Sequence, residues 1–230
     1  LAAMAGKDSS WNAFNVLHTA AARVAGLDLG FVPADKNALD ASDLVAAVAK
    51  DKLDVFYLLG ADEIDLPESG SAFIVYQGSH GDRSAHRADV ILPGAAFTEK
   101  SATYVNMEGR AQMTERAVFP PGEAKEDWAI IRALSAEVGH TLPYDTLGAL
   151  RAAMYAAAPQ LARIGAREPA PLDGVEALAK KGSPLTQEPF VAPIADFYLT
   201  NPITRASTVM AEMSALKKSV SASQRLKAAE

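Results

Sequence analysis

The sequence contains no cysteine. That excludes thiolate ligands, and with them an iron–sulfur cluster, a thiolate-bound molybdenum or a structural zinc of the usual Cys type. No apolar run approaches the roughly 18–20 residues needed to cross a bilayer, so any link to a membrane has to go through a partner. Positive charge is in deficit: 22 Lys and Arg against 28 Asp and Glu leave a net charge of −6. Phosphate contact needs clustered Lys and Arg, so this balance argues against nucleic-acid binding. A secretory signal is not legible either, because Leu1-Ala2-Ala3-Met4 has neither a charged n-region nor a long apolar h-region. The first residue is not Met, and we expect the chain to have been cut from something longer.

What is present describes an ordinary globular chain. Its 230 residues, 49% apolar and 22% charged, are enough for one sizeable core. "DSSWNAFNVLHTAAARVAG" predicts a helix with Trp11, Phe14, Leu17, Ala21 and Val24 on one face, Asp8, Ser9 or Ser10 as N-cap, and Gly26 at its stop. "DASDLVAAVAKDK" predicts a second, capped by Asp40 or Ser42, with Leu44, Val45 and Val48 as its apolar stripe. Three continuous apolar runs follow, in "DVFYLLGAD", "AFIVYQG" and "ADVILPG". Runs without alternation are the mark of parallel strands buried on both faces. The fold class is therefore α/β, an open parallel sheet with crossover helices. Phe56, Ile74 and Ile91 are its expected centres, and Ile91→Ala is expected to cost about 2–5 kcal/mol.

Past Leu92 the texture changes. "TYVN", "EGR" and "AQMTERAVF" predict a small antiparallel hairpin around a glycine turn. "GEAKEDWAIIRALSAEVGH" is an amphipathic helix with Trp128, Ile131, Leu134 and Val138 on one face, and "YDTLGALRAAMYAAAPQ" another, with Leu147, Leu150 and Met154 inward and Pro159 closing it. Pro and Gly are dense between Gly165 and Pro202, which reads as an extended arm pinned by Phe190, Phe197, Tyr198 and Leu199. Phe190, between Pro189 and Pro193, is the candidate for contact with another subunit. A last helix starts near Asn201-Pro202 and carries Val209, Met210, Met213 and Leu216, and its polar tail is expected to fray. The expected organisation is an α/β domain over 1–164, the Pro-rich arm over 165–202, and the C-terminal helix and tail over 203–230.

Chemistry is hard to find in this order. His18, His80, His86 and His140 are the only histidines. His80 and His86 flank Asp82 and Asp89, so a metal site is conceivable, but "HGDRSAH" is rich in loop formers and lacks helical i, i+4 ligand spacing, which favours a solvated loop. "YQGSHGDR" follows a strand, and Gly78 with Gly81 could bring backbone N–H groups to a phosphate. It is neither G-x-G-x-x-G nor a Walker loop, and a plain strand-end turn is favoured. Glu99 and Lys100 are adjacent, so along a strand they face opposite ways and form no acid/base pair. No nucleophile-elbow motif is present. Expected catalytic, cofactor-binding and metal residues are accordingly none.

One segment is too particular for loop filler. "VILPGAAFTEKSATYVNMEGRAQ", residues 90–112, carries Glu99-Lys100, Asn106 and Glu108-Gly109-Arg110, residue types that grip an anionic cofactor. With its sequel to "DWAIIRAL" it resembles the C-terminal part of the molybdopterin-oxidoreductase domain, as in formate dehydrogenases and nitrate reductases. Together with "FIVYQGSHGD" and "DFYLTNPITRAS" it is more closely similar to the large iron–sulfur subunit of respiratory complex I, the NADH:quinone oxidoreductase. The similarity runs from about Asp54 to Met213.

That resemblance implies a degenerate molybdopterin-oxidoreductase-like domain that binds no molybdenum. Lys100, Asn106, Arg110 and Gln112 keep a pattern that lies near the pterin in the active enzymes, here retained for hairpin geometry and packing. It implies a scaffold in the peripheral arm of an enzyme that passes electrons from NADH to quinone and couples this to proton translocation. The fragment itself would be non-catalytic and free of cofactors, with iron–sulfur clusters upstream of Leu1 and FMN in a partner subunit. Its partners would be the other peripheral-arm subunits, on the cytoplasmic side of a bacterial inner membrane or the matrix side of a mitochondrial one. A molybdopterin-dependent oxidoreductase of the formate dehydrogenase type and a free-standing α/β ligand-binding module remain as alternatives.

Overall fold

A computed structural model of the chain describes residues 16–35, 37–167, 174, 177, 187–189 and 191–229. Its contacts divide the chain into two compact units interleaved in sequence. One comprises residues 1–32, 102–114 and 148–193; the other comprises 33–101, 115–147 and 194–230.

The second unit is built on β1 (Val55–Leu59), β2 (Phe73–Gly78) and β3 (Val90–Pro93), all parallel, in the order β1-β2-β3. The three expected strands are there, in the expected direction. Period-2 geometry puts Phe56, Leu58, Ile74 and Tyr76 on one face, where they pack with Val48 of helix α2 (Ala41–Ala49) and Ala72 into the core. Helix α2 starts at Asp40, whose carboxylate accepts from the Asp43 N–H at 2.9 Å and from the Ser42 hydroxyl at 2.7 Å. Of the two candidates, Asp40 is the cap, and Ser42 lies inside the helix and donates to it. Those same bonds hold the Asp40 carboxyl below its ordinary range.

Burial on both faces holds for neither outer strand. Ile91 sits beside Tyr76 in the register, yet it is 55% exposed where Tyr76 is 1%. β3 pairs on one side only, and the core side chains contributed by α2 lie over β1 and β2. The opposite face leaves Val55, Phe73 and Val90 exposed. The expectation that Ile91 is a core position is therefore wrong, and its large truncation cost goes with it.

Helix α3 (Asp127–Glu137) half-buries Trp128, Ile131 and Leu134, but Val138 falls on its C-cap and is exposed. At the C-terminal end the single predicted helix is two. In α5 (Pro202–Ala206) the Asn201 side chain accepts from the Thr204 N–H at 3.0 Å, and Thr204 Oγ1 accepts from the Asn201 N–H at 3.2 Å, a reciprocal cap with Pro202 in the first turn. Ser207 then turns extended at ψ 121°, and its hydroxyl accepts from the Met210 N–H to start α6 (Thr208–Ala229). The tail expected to fray is helical through Ala229.

The first unit is smaller in its core. Antiparallel β4 (Thr103–Val105) and β5 (Ala111–Met113) form the predicted hairpin. Val105 and Ala111 are buried with Ala158 and Leu161, beyond α4 (Leu147–Ala157), and Val24 and Ala25 of α1 (Arg23–Asp28) pack against them. Met154 packs there as predicted, and α4 stops before Pro159. Helix α1 is much shorter than expected: residues 16–20 are not helical, and Leu17 is exposed. Gly26 lies inside the helix. The stop is Gly30, at φ +71°, where the Gly30 N–H reaches the Leu27 carbonyl and the Phe31 N–H reaches that of Gly26. This double bond pattern needs a left-handed residue after the cap. Trp11, Phe14, the expected caps Asp8, Ser9 and Ser10, and Phe190 lie outside the described residues.

Candidate functional site

Residues 90–101 belong to the sheet-bearing unit. As β3 ends, the Gly94 N–H donates to the Gly78 carbonyl at 2.9 Å, and the Ala95 N–H donates to the Lys125 carbonyl at 2.8 Å. A Cβ on Gly94 would lie 2.8 Å from Oδ1 of Asp127. A side chain there would displace the carboxylate at the start of α3 from its bonds. That carboxylate is the centre of a closed network. Its Oδ1 accepts from Gln77 Nε2 at 3.0 Å, and its Oδ2 accepts from Lys100 Nζ. Gln77, fully buried on β2, accepts from the Tyr57 hydroxyl through Oε1. Burial, and then the Asp127 charge, push the Tyr57 hydroxyl up, so it stays protonated and donating. The helix N-terminus favours a carboxylate at Asp127 as well. Glu99 does not lie on a strand: it ends a 3₁₀ turn and accepts from the Ala96 N–H at 2.9 Å.

Residues 102–112 belong to the other unit and are equally self-contained. Asn106 Oδ1 accepts from the Glu108 and Arg110 N–H groups, each at 3.0 Å, bracing the turn in which Gly109 takes φ +79°. Arg110 donates to Glu108 at 3.2 Å and to the Gly165 carbonyl. The Arg110 guanidinium, and then Asn106, hold the Glu108 carboxyl below its ordinary range. Gln112 is exposed on β5.

This arrangement tests whether a pterin fits. A cofactor phosphate or pterin ring needs donors that are free to turn toward it. Lys100 Nζ is paired with Asp127 and the Arg110 guanidinium with Glu108 and Gly165, whereas Asn106 is engaged through its acceptor Oδ1 and Gln112 is exposed. Neither basic side chain is free to turn toward such a group, and no chemical step is derived through it.

A second constellation was not foreseen. Arg205 on α5 donates through Nε to Asp82 and through Nη1 to Glu63 at 3.2 Å and to the Leu199 carbonyl at 3.3 Å, while its Nη2 lies 3.8 Å from Asp62. Asp82 also accepts from the Arg83 N–H at 2.9 Å, capping a 3₁₀ turn over Arg83–Arg87. Asp62 is 8% exposed, and burial pushes its carboxyl up against the opposing pull of Arg205. Burial, followed by Asp62 and Asp82, pushes the neighbouring Tyr76 hydroxyl to about 12. The "GSHGD" and "ITRAS" motifs, 123 residues apart at this ion pair, thus form one junction. The sequence signal was available in the pairing of an acidic loop with a lone Arg, but nothing in either stretch names its partner.

The His/Asp candidates do not converge. His80 bonds Ser79, Asp82 holds Arg205, and Asp89 accepts from the Ile74 N–H at 2.8 Å. Among the described residues no group of three or more His, Cys, Asp or Glu could hold a metal ion. The turn after β2 does not read as a phosphate cradle either, since a Cβ on Gly78 would collide with the Tyr76 hydroxyl. That contact alone accounts for the glycine. No helix among the described residues is long and apolar enough to cross a membrane.

The profile of the molybdopterin oxidoreductase family matches residues 1–137, and that of the C-terminal region of the G-type subunit of NADH-ubiquinone oxidoreductase matches residues 166–213. The mitochondrial NADH dehydrogenase [ubiquinone] iron-sulfur protein 1 of Solanum tuberosum is 44% identical over 90% of this chain and 27% of its own length. The NADH-ubiquinone oxidoreductase 75 kDa subunit of Reclinomonas americana is 45% identical over 92% of this chain and 30% of its own. The 78 kDa subunit of Candida albicans is 47% identical over 88% and 27%. The chain therefore spans less than a third of the length of these relatives. Among solved structures, acetylene hydratase from Pelobacter acetylenicus matches at 23% identity and a TM-score of 0.34, covering 43% of this chain and 16% of that one. That likeness is too low to carry an argument.

Proposed function

The chain belongs to the molybdopterin oxidoreductase family, and from that premise we propose that it is the C-terminal part of the large iron–sulfur subunit of an NADH:quinone oxidoreductase. Relatives 44–47% identical over most of this chain are named as an iron-sulfur protein of NADH dehydrogenase [ubiquinone] and as 75 and 78 kDa subunits of NADH-ubiquinone oxidoreductase, which supports the reading. Its work is structural. The assembled enzyme passes electrons from NADH through flavin and iron–sulfur centres to quinone and couples this to proton translocation, and this portion positions its neighbours. With no cysteine it ligates none of the clusters, which lie elsewhere in the subunit. It sits in the peripheral arm, on the cytoplasmic or matrix side, against other subunits of that arm.

The observation that carries this reading is the closed state of the cofactor-like segment: Lys100 is held by Asp127 and Arg110 by Glu108 and Gly165. A group already engaged within its own chain is available for packing rather than for turnover. The test is Lys100→Met in the assembled oxidoreductase. The expected result is less assembled enzyme, with NADH:quinone activity per assembled complex unchanged. A tenfold drop in activity per complex with normal assembly would overturn the scaffold role.

A further inference from the structure

Residues 194–229 are bonded among themselves. Asp196 accepts from the Tyr198 N–H at 3.1 Å, from the Ser214 hydroxyl, and from Lys218 Nζ at 3.0 Å, so one carboxylate ties the extended stretch to α6. Phe197 and Tyr198 meet edge to face, with ring centroids 5.5 Å apart. Asn201 and Thr204 cap α5 reciprocally, and Arg205 reaches back to the Leu199 carbonyl.

The join to the sheet is of another kind. Among the described residues, the side chains that form the core on β1 and β2, or pack against it, lie between Leu44 and Ala88. None comes from this segment. The Arg205 guanidinium makes the join: it meets Asp62 and Glu63 in the loop after β1 and Asp82 in the loop after β2. A segment that shares ion pairs with its unit, and no core side chain, opens at a lower free energy than the core does.

We propose that residues 194–229 are an arm latched by Arg205, which comes away from the two loops as one piece while the sheet stays folded. The arm is the opening unit because its internal bonds survive the opening. Arg205 is the latch because one side chain holds both loops. Opening therefore breaks the Arg205 contacts and leaves β1, β2 and their core intact.

Amide hydrogen exchange on the full-length chain, read by mass spectrometry, compares residues 202–214 with β2 and leaves the helix end out. In the parent, residues 202–214 should be protected at least about tenfold less than β2. Arg205→Ala should speed their exchange at least about tenfold more. Ile74→Val, a small loss in the core, should speed β2 by about two- to tenfold and leave residues 202–214 unchanged, because the arm opens without the sheet. Equal acceleration of both regions by Ile74→Val, or equal protection of both in the parent, would show one cooperative unit and overturn the arm. No change over residues 202–214 in Arg205→Ala would overturn the latch. If Arg205→Ala does not fold, Arg205→Lys decides the latch in its place, with an expected acceleration of at least about threefold.

Discussion

Arg205→Ala is the substitution with the most to lose. Its side chain is 18% exposed and meets the carboxylates of Asp82 and Glu63, the Leu199 carbonyl, and Asp62 at 3.8 Å. Removing it leaves three acids facing one another, one of them buried. Breaking a buried pair by deleting one partner costs about 3–5 kcal/mol, and an exposed pair costs at most about 1. Glu63 is largely exposed whereas Asp62 and Asp82 are not, so we expect a loss of about 3 kcal/mol at pH 7 in urea melts. Arg205→Lys keeps the charge without the fork, and should lose about half as much. The sign of the pH dependence follows from Asp62. Its folded carboxyl is raised above the unfolded value, chiefly by burial, with Arg205 pulling it back. A raised acid binds more protons folded than unfolded, so its cost grows as pH rises from the unfolded value to the folded one and is constant above that. Without Arg205 that value climbs further. The deficit of Arg205→Ala should therefore shrink as pH falls from 7 through the raised Asp62 value towards the unfolded one near 3.8. A deficit under about 0.5 kcal/mol at pH 7, or one that grows on acidification, would refute the junction.

Ile74→Ala should cost about 2–5 kcal/mol by denaturant melts, as a fully buried residue does, while Ile91→Ala should stay below about 1. For Lys100 and Asp127, each about a quarter exposed, a double-mutant cycle of Lys100→Met and Asp127→Asn should show a coupling of about 1–2 kcal/mol, and none would separate the pair. Asp196 is held below its ordinary range first by Ser214 and then by Lys218. Its contribution is present above the unfolded value near 3.8 and is lost as pH falls through the lowered one. Thermal melts of Ser214→Ala should show a smaller loss over that acid window than the parent, and an equal loss would refute the contact.

The strands were legible because each is a continuous apolar run ended by Gly or Pro, and a run of that length has few other structures open to it. How deeply each would be buried was not, since Ile74 and Ile91 look alike in sequence and differ in whether the core around Val48 of α2 covers them; β1 is an edge strand too, yet its Phe56 and Leu58 are buried there. Helix ends show the same division. Asp40 and Pro202 carry their signals in their own side chains, and both were read correctly. Ser207 breaks the last helix because its hydroxyl caps the next turn, a choice a serine makes only where the chain already bends. The stop at Gly30 rather than Gly26 rests on two carbonyls finding two N–H groups, which both glycines offer on paper.

The cofactor-like segment is the sharper case. Its residue types point towards an anion, and by type alone Lys100, Asn106 and Arg110 are as suited to a pterin as to a carboxylate. What decides between the two is the identity of the nearest acceptor, and that acceptor is non-local. Asp127 reaches Lys100 from 27 residues on and Gln77 from 50. A sequence motif records the donors and leaves out whatever occupies them. The same holds for "GSHGD" and "ITRAS", which look like two marks of ancestry and are the two halves of one ion pair. Motifs that identify a family therefore need not mark its chemistry. In this chain the segments most useful for recognition are those whose polar side chains are paired with one another, Lys100 with Asp127 and Asp82 with Arg205.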